Sequence, residues 1–250
     1  MAELGTETIN RVLELAPAGT LDVDGYTYLD KDKTLTLHKP PVPIAITVST
    51  LTGMVDLLEA EFEAAEPATC FFHVAAYDTV RYQLRESDRY GRRQTFIVSE
   101  RIKPEQEFRF GVYQSQEQFV IALRSLFVQD ANINELVALA GNLAAKAEVH
   151  QQDDGFTQQT TVKAGVHLVA EKVVKPMVDL RPYRTFLEVE QPVSTYVFRV
   201  KGGETGSSCA LFEADGGTWK LTAMENVKTW LTNRLKGSEA NGLADIPVVA

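Results

Sequence analysis

The chain has 250 residues, of which 44% are hydrophobic and 24% charged, and its formal net charge is -9 at pH 7. A chain of this length and composition can bury most of its apolar surface without disulfides, which argues against disorder of the whole chain. The negative charge argues against a general nucleic-acid coat, because an acidic protein repels polyanions unless it carries a local basic patch.

The two cysteines, Cys70 and Cys209, stand among apolar residues. Two cysteines are too few for a disulfide framework, so we expect buried thiols in a reducing compartment. No apolar run approaches the roughly 18–20 residues of a membrane span. The first residues also lack the basic segment and apolar stretch of a signal peptide. These features favour a cytoplasmic protein with no membrane partner.

Hydrophobic periodicity predicts the elements of the first half of the chain. An N-terminal helical arm is expected over about residues 1–17, with its helix at 6–16. Its apolar face needs a partner surface, in its own subunit or in a neighbour. A helix is predicted from Ser49 or Thr50 to Pro67, with a buried stripe of Leu51, Met54, Val55, Leu58 and Phe62. The other predicted elements are a hairpin of 26–29 and 34–37, a strand at 44–48, a strand at 70–74, a hairpin of 80–84 and 94–98, and a strand at 108–113.

Two helices are predicted next. Ser115 and Gln118 form a capping-box pattern at the start of the first, and the second begins near Asn132. From Val149 the period changes to two, which predicts strands at 157–162, 166–169, 185–190, 196–200 and 210–213, with turns at 202–203 and 215–217. A final helix is expected with Thr222 and Glu225 as its cap and Gly237 as its end. The last dozen residues, about 238–250, are expected to form a loose tail or to dock on a neighbour.

This order of elements, with helices between two strand-rich blocks, favours an α+β fold. We expect antiparallel or mixed sheets with a helical hairpin between the blocks. The chain, residues 1–250, is predicted to form a single compact unit from which a basic hairpin of about residues 78–103 projects.

Sequence patterns for metal and cofactor binding are incomplete. Cys70 and His73 are half of a zinc site and on a strand point to opposite faces. Residues 22–25 have a glycine too early for a calcium loop, and residues 201–207 lack the Gly-Lys-Ser/Thr ending of a phosphate loop. We therefore predict turns at both places, with no metal, no cofactor, no catalytic residue and no small-molecule substrate. A catalytic triad assembled in space from distant residues stays open.

Arginines cluster between residues 81 and 109, against the overall acidity. The residues predicted to make contacts at the hairpin tip are Arg85, Arg89, Tyr90, Arg92 and Arg93. Three interpretations stay open: a solvated hairpin, a contact in which arginines grip carboxylates of a neighbouring subunit, and a contact with nucleic acid through charge and stacking.

The segment 180–194, LRPYRTFLEVEQPVS, resembles the YfdQ-like family of phage and prophage proteins of unknown function. The similarity continues through 196–199 and 210–219 and includes 159–166. The signature residues are Arg181, Pro182, Tyr183, Arg184, Thr185, Phe186, Glu188, Glu190, Gln191 and Pro192. The resemblance implies a phage- or prophage-encoded protein of the bacterial cytoplasm, and it brings no established catalytic residues.

Within the signature, Pro182 and Pro192 bracket a segment predicted to be extended. Arg184, with Glu188 and Glu190 on one face of that strand, is expected to fix it through charged hydrogen bonds. By analogy, the arm, hairpin, helices and mixed sheet also resemble the fold of tailed-phage capsid proteins and encapsulins.

These observations favour a non-enzymatic protein that self-associates as a homo-oligomer, as a scaffold or capsid-like shell component. The first alternative is an accessory protein of phage DNA metabolism that binds nucleic acid through the arginine-rich hairpin. The second is an enzyme whose site assembles in space.

Overall fold

The structure is a computed structural model that describes residues 19–31, 34–60, 69–141, 148–153, 158–164, 167–174, 177–203, 206–238 and 242–250. Helices combine with mixed and antiparallel sheets in an α+β fold, which confirms the predicted class. The helix predicted at 6–16 lies outside the described residues. The chain divides into residues 1–44 with 87–94, and residues 45–86 with 95–250. That these two units pack together as one compact body stays a prediction.

The smaller unit contains an antiparallel three-stranded sheet, with strands β1 (Gly19–Val23), β2 (Tyr26–Lys31) and β3 (Thr34–Leu37) in sequential order. Pairing of Tyr28 with Leu37 and of Leu29 with Thr36 confirms the predicted hairpin. Asp24 and Gly25 join β1 to β2 with φ angles of 51° and 78°. Two positive φ angles are typical of a two-residue hairpin turn, so the turn predicted at 22–25 is confirmed.

The larger unit is built on a five-stranded mixed sheet. Its strands are β4 (Ile46–Val48), β5 (Cys70–Ala76), β6 (Thr79–Leu84), β7 (Thr95–Glu100) and β15 (Val248–Val249). They lie in the order β15-β5-β6-β7-β4. The inner strands are antiparallel, and each edge strand is parallel to its neighbour. Pairing of β6 with β7 confirms the hairpin predicted from 80–84 and 94–98.

Helices α1 (Leu51–Ala60) and α4 (Trp219–Lys236) contribute the apolar cover of this sheet. The helical spacing of Leu51, Met54, Val55 and Leu58 predicts a buried stripe, and all four side chains are buried. The helix α4 adds Val227, Leu231 and Leu235 to the same hydrophobic cluster, the first core. Burial of hydrocarbon from both helices and from β5 and β6 is the main stabilising contribution here.

A second sheet, antiparallel, forms the second core with two further helices. These elements are β8 (Gln114–Ser115), α2 (Gln116–Leu126), α3 (Ala131–Gly141), β12 (Met177–Leu180), β13 (Ser194–Gly203) and β14 (Gly206–Glu213). The strands lie in the order β12-β13-β14-β8. The side-chain oxygen of Ser115 accepts a hydrogen bond from the Gln118 amide at 3.4 Å, which confirms the predicted N-terminal cap. Phe119, Leu123 and Phe127 are fully buried in this core.

A third sheet joins β9 (Glu148–Asp153), β10 (Gln158–Ala164) and β11 (His167–Val174) in an antiparallel meander. The register shifts between Val162 and Lys163 on β10, where the pairing with β11 is irregular. The strands predicted near 157–162 and 166–169 are therefore confirmed, with longer bounds.

Three predicted elements are wrong. Residues 108–113 are not a strand, because Gly111 has a φ of 73° and turns the chain, with its amide donating to the Leu211 carbonyl oxygen at 2.8 Å. Residues 185–190 form turns. The last helix begins at Trp219, not at Thr222, because the turn at 215–217 leads from β14 directly into the helix rather than into another strand.

The tail expected to be loose is packed where it is described. Residues Leu243–Asp245 form a short 3-10 helix, and Leu243 and Ile246 are buried in the first core. Val248 and Val249 pair with Phe72 and His73 of β5. Apolar residues in the tail therefore find their partner surface within the same chain.

Candidate functional site

The tip of the basic hairpin belongs to the smaller unit, where its arginines are bonded. A terminal nitrogen of Arg89 donates to the Gly25 carbonyl oxygen. Arg92 forms an ion pair with Asp88 at 2.8 Å and donates to the Pro40 carbonyl oxygen at 2.8 Å. These contacts use the arginine forks to hold the unit's own backbone.

The remaining predicted hairpin residues are distributed between the two units. The Tyr90 ring contacts the Tyr26 ring edge-on, with centroids 5.7 Å apart, and lies under the guanidinium of Arg92 at 5.1 Å. Arg93 is exposed in the same unit. Arg85 lies in the larger unit, where its Nε donates to the Cys70 carbonyl oxygen at 3.2 Å.

The signature segment connects β12 to β13 and is organised by one buried amide, that of Gln191. Its Oε1 accepts from the backbone amides of Arg184 at 2.9 Å and Thr185 at 3.2 Å. Its Nε2 donates to the carbonyl oxygens of Phe186 at 2.9 Å and Val189 at 3.3 Å. Because this side chain supplies the partners that a neighbouring strand would supply, the segment folds on itself, and the predicted strand at 185–190 does not form.

The two acidic residues of the signature have separate roles. Oε1 of Glu188 accepts from the backbone amides of Leu51 at 2.9 Å and Thr52 at 3.3 Å, so it caps the N-terminus of α1. Glu190 lies 3.6 Å from Arg181. Arg184 pairs with Glu213. The expectation that Glu188 and Glu190 share one face of a strand is wrong, because residues 185–190 form turns.

A cleft of about 310 Å³ opens beside the signature, inside the larger unit. The β5–β6 turn, the chain after β7, the end of α2, the signature and the start of α4 all contribute to its wall. The amide of Tyr183 donates to the Leu126 carbonyl oxygen at 3.0 Å, which fixes the signature against α2. The lining residues are Tyr77, Asp78, Arg101, Lys103, Pro104, Gln106, Glu107, Phe108, Phe110, Leu126, Pro182, Tyr183, Arg184 and Trp219.

Arg184 forms the inner wall of this cleft. Its guanidinium carbon lies 4.3 Å from the Phe110 ring centroid and 4.5 Å from that of Trp219. Its side chain is 11% exposed and pairs with Glu213. Two aromatic faces and one carboxylate balance the buried charge and hold the guanidinium plane in place.

Arg101 supplies a second guanidinium to the cleft. Its backbone amide donates to the Asp78 carbonyl oxygen at 2.9 Å, and its Nη2 donates to the Tyr183 carbonyl oxygen at 2.8 Å. Its Nε is buried and has no partner among the described residues. Burial lowers the pKa of Arg101, against the nearby carboxylates of Glu107 and Asp78, which raise it. The group stays charged at neutral pH, because the arginine pKa begins far above that range.

Among the described side chains, neither cysteine nor His73 lines this cleft. Cys70 and Cys209 are free and buried, as predicted. Burial raises the pKa of the Cys209 thiol to about 12, so it is protonated at neutral pH. His73 is half-buried and stacks on Phe71 with ring centroids 6.1 Å apart. In the part of the chain that the structure describes, no three His, Cys, Asp or Glu side chains are grouped to hold a metal.

Sequence reasoning identified part of the cleft and missed the rest. Pro182, Tyr183 and Arg184 belong to the signature, and Arg101 belongs to the wider arginine cluster. Trp219 ends a stretch of family similarity, but nothing local placed it beside Tyr77. Their rings meet, 4.9 Å apart, only through the packing of α4 beside the β5–β6 turn. The turn at 215–217, which starts α4 early, was the one available indication of where Trp219 would lie.

Among the described helices, none has both the length and the apolar character required to cross a membrane. Comparisons of the chain with protein-family models, with curated proteins and with solved structures found no match.

Proposed function

We propose that this chain is a non-enzymatic phage or prophage protein that self-associates, as a scaffold or capsid-like shell component in the bacterial cytoplasm. The phage origin rests on the resemblance of the signature segment to the YfdQ-like family. The proposal of self-association rests on the exposed apolar surface around β4.

The supporting observation is apolar surface at an open sheet edge. Among the described strands, β4 is an edge strand and pairs only with β7. Ile46 in β4 is 55% exposed, and Ile44 just before it is 96% exposed. An edge strand offers unpaired backbone donors and acceptors, and an added strand would also cover the two isoleucines. A second copy of this chain is the partner that we propose for this edge.

The test is the oligomeric state of an edge variant. Ile44→Lys combined with Ile46→Lys places two charges on the proposed contact, where they disfavour strand addition. We expect the native chain to sediment as an oligomer at micromolar concentration and the double variant to sediment as a monomer. Electron microscopy of the native protein shows whether the oligomer is a closed shell or a smaller scaffold.

The matched control is Leu221→Lys, which changes an apolar side chain of similar exposure, 70%, on α4. This variant should remain oligomeric. A native chain that is monomeric under these conditions overturns self-association altogether. An oligomer that the edge variant leaves intact overturns the role of β4.

A further inference from the structure

The cleft contains a guanidinium whose hydrogen-bonding capacity the described protein uses only in part. Arg101 donates one side-chain bond, to the Tyr183 carbonyl oxygen, and its buried Nε has no partner among the described residues. A guanidinium carries five N–H donors, and a buried donor without an acceptor costs free energy. An anionic acceptor entering the cleft would therefore gain charge-assisted hydrogen bonds from a guanidinium that is already partly desolvated.

Aromatic rings give the same cleft flat apolar walls. Tyr77 and Trp219 meet edge-to-face, with centroids 4.9 Å apart, and Phe110 stacks on Tyr196 and also contacts Arg184. Tyr77, Trp219 and Phe110 all line the cleft. A planar ring gains stacking and burial against such walls, which a compact inorganic anion does not.

The other charges in the cleft narrow the class of ligand. Lys103 adds a third cation to those of Arg101 and Arg184, whereas Asp78 and Glu107 add two carboxylates. The carboxylates repel a polyanion and accept hydrogen bonds from N–H groups. The volume of about 310 Å³ lies at the lower end of the range for ligand pockets, which indicates a small molecule.

We propose that this cleft binds a small molecule with one planar aromatic ring, one anionic group bonded to Arg101, and N–H donors that face Asp78 and Glu107. A nucleoside monophosphate and a free aromatic amino acid share this chemistry. Binding needs no second copy of the chain, so it holds whether or not the chain self-associates.

The test uses the fluorescence of Trp219, which lines the cleft. Replacing Trp230 by Phe leaves Trp219 as the only tryptophan of the two in the chain. Adenosine monophosphate, adenosine, inorganic phosphate and L-phenylalanine are titrated separately, with calorimetry as the second measurement. We expect saturation with either the monophosphate or the amino acid, and this result identifies the source. If nothing saturates at millimolar concentration, or if phosphate alone binds as tightly as the ring-bearing anions, the proposal is overturned.

Three variants locate the binding. Arg101→Gln should weaken it by about tenfold or more, since it removes a charged hydrogen-bond donor. Lys103→Gln should weaken it by removing a cation of the cleft, and Glu107→Gln should weaken it by removing a charged acceptor for the ligand's N–H donors. Both residues are exposed, so these variants decide the matter even if Arg101→Gln fails to fold. Lys236→Gln, an exposed cation in the last turn of α4, is the control and should bind as the native chain does. Native affinity in both the Lys103 and the Glu107 variants overturns the site.

Discussion

At the scale of single residues, buried polar side chains determine the shape of the signature segment. Gln191 is 5% exposed and makes four hydrogen bonds to backbone groups of the same segment. A side chain that satisfies so many backbone groups can stabilise an irregular connection as well as a strand partner would. The segment is therefore rigid enough to position Arg184 and Tyr183 at the cleft.

Glu188 is the residue whose structural role is simplest to test. We expect Glu188→Ala to lower the free energy of unfolding by about 1 kcal/mol, because α1 loses the acceptor for its first two amides and a negative charge near its N-terminus. Urea unfolding monitored by circular dichroism measures the change.

Glu190→Ala is the matched comparison, since its carboxylate is 77% exposed and its partner Arg181 is 3.6 Å away. Exposed pairs contribute about 0–1 kcal/mol, so this variant should change stability by less. Equal losses for the two variants would contradict the capping role of Glu188.

At the scale of helices and strands, periodicity predicts elements wherever packing decides the structure. The burial of alternate residues in β5, Cys70, Phe72 and Val74, follows the pattern in the sequence. The helical stripe of α1 follows likewise. Both elements place one face against a core, so the sequence period and the burial period must agree.

The wrong predictions fall where a local feature outweighs the pattern. Residues 108–113 alternate like a strand, but Gly111 adopts a positive φ and bonds to Leu211, a residue 100 positions away. Residues 185–190 also alternate, yet a glutamine side chain takes the place of a neighbouring strand. Nothing local in the sequence distinguishes these cases from true strands, because the deciding partner is distant or is a side chain.

Contact between α1 and α4 predicts a pH dependence of stability. Arg234 of α4 donates to Glu59 of α1 at 2.9 Å and 3.2 Å. A hydrogen bond with Ser238, and then Arg234, lower the pKa of Glu59 from its usual 4.5. A lowered folded-state pKa means that this stabilisation is fully present above pH 4.5 and is lost as the pH falls through the folded-state value.

Urea unfolding across the acidic range checks this dependence. The stability difference between the native chain and Glu59→Gln should be constant near neutral pH and should shrink below pH 4.5, where the native carboxyl also becomes neutral. Glu225→Gln, which removes an exposed carboxylate 3.4 Å from Lys228, is the control and should show a smaller change. A pH-independent difference for Glu59→Gln would show that the ionised carboxylate contributes nothing.

At the scale of the whole molecule, the net charge of -9 opposes binding to nucleic acid, whereas the hairpin tip gathers arginines. Arg89 and Arg92 bond to backbone carbonyl oxygens of their own unit, so we expect the hairpin tip not to bind nucleic acid. The variant Arg93→Glu should then retain single-stranded DNA to the same extent as Lys201→Glu, which reverses an exposed charge on β13. Filter binding over a range of salt concentrations measures retention. A loss specific to Arg93→Glu, steep in salt, would favour the nucleic-acid alternative.

The cleft shows why a whole-molecule feature escapes sequence reasoning. All of its charged residues except Asp78 stand in two stretches that the sequence marks, the arginine cluster and the signature. The cleft itself exists because Trp219 and Tyr77, 142 positions apart, meet beside Arg184. Whether these two rings meet depends on how the two cores pack together, and no local pattern in the sequence carries that information.

The two cores are nested along the chain, and this order affects folding during synthesis. Every buried member of the second core lies between Phe108 and Leu211. The first core draws on Leu51 near one end, on Phe186 and Val189 within that range, and on Leu235, Leu243 and Ile246 near the other end. A nascent chain leaving the ribosome therefore exposes the apolar face of β5 and β6 while the whole second core is being made. Until α4 emerges, that face lacks its last helix and needs protection from aggregation.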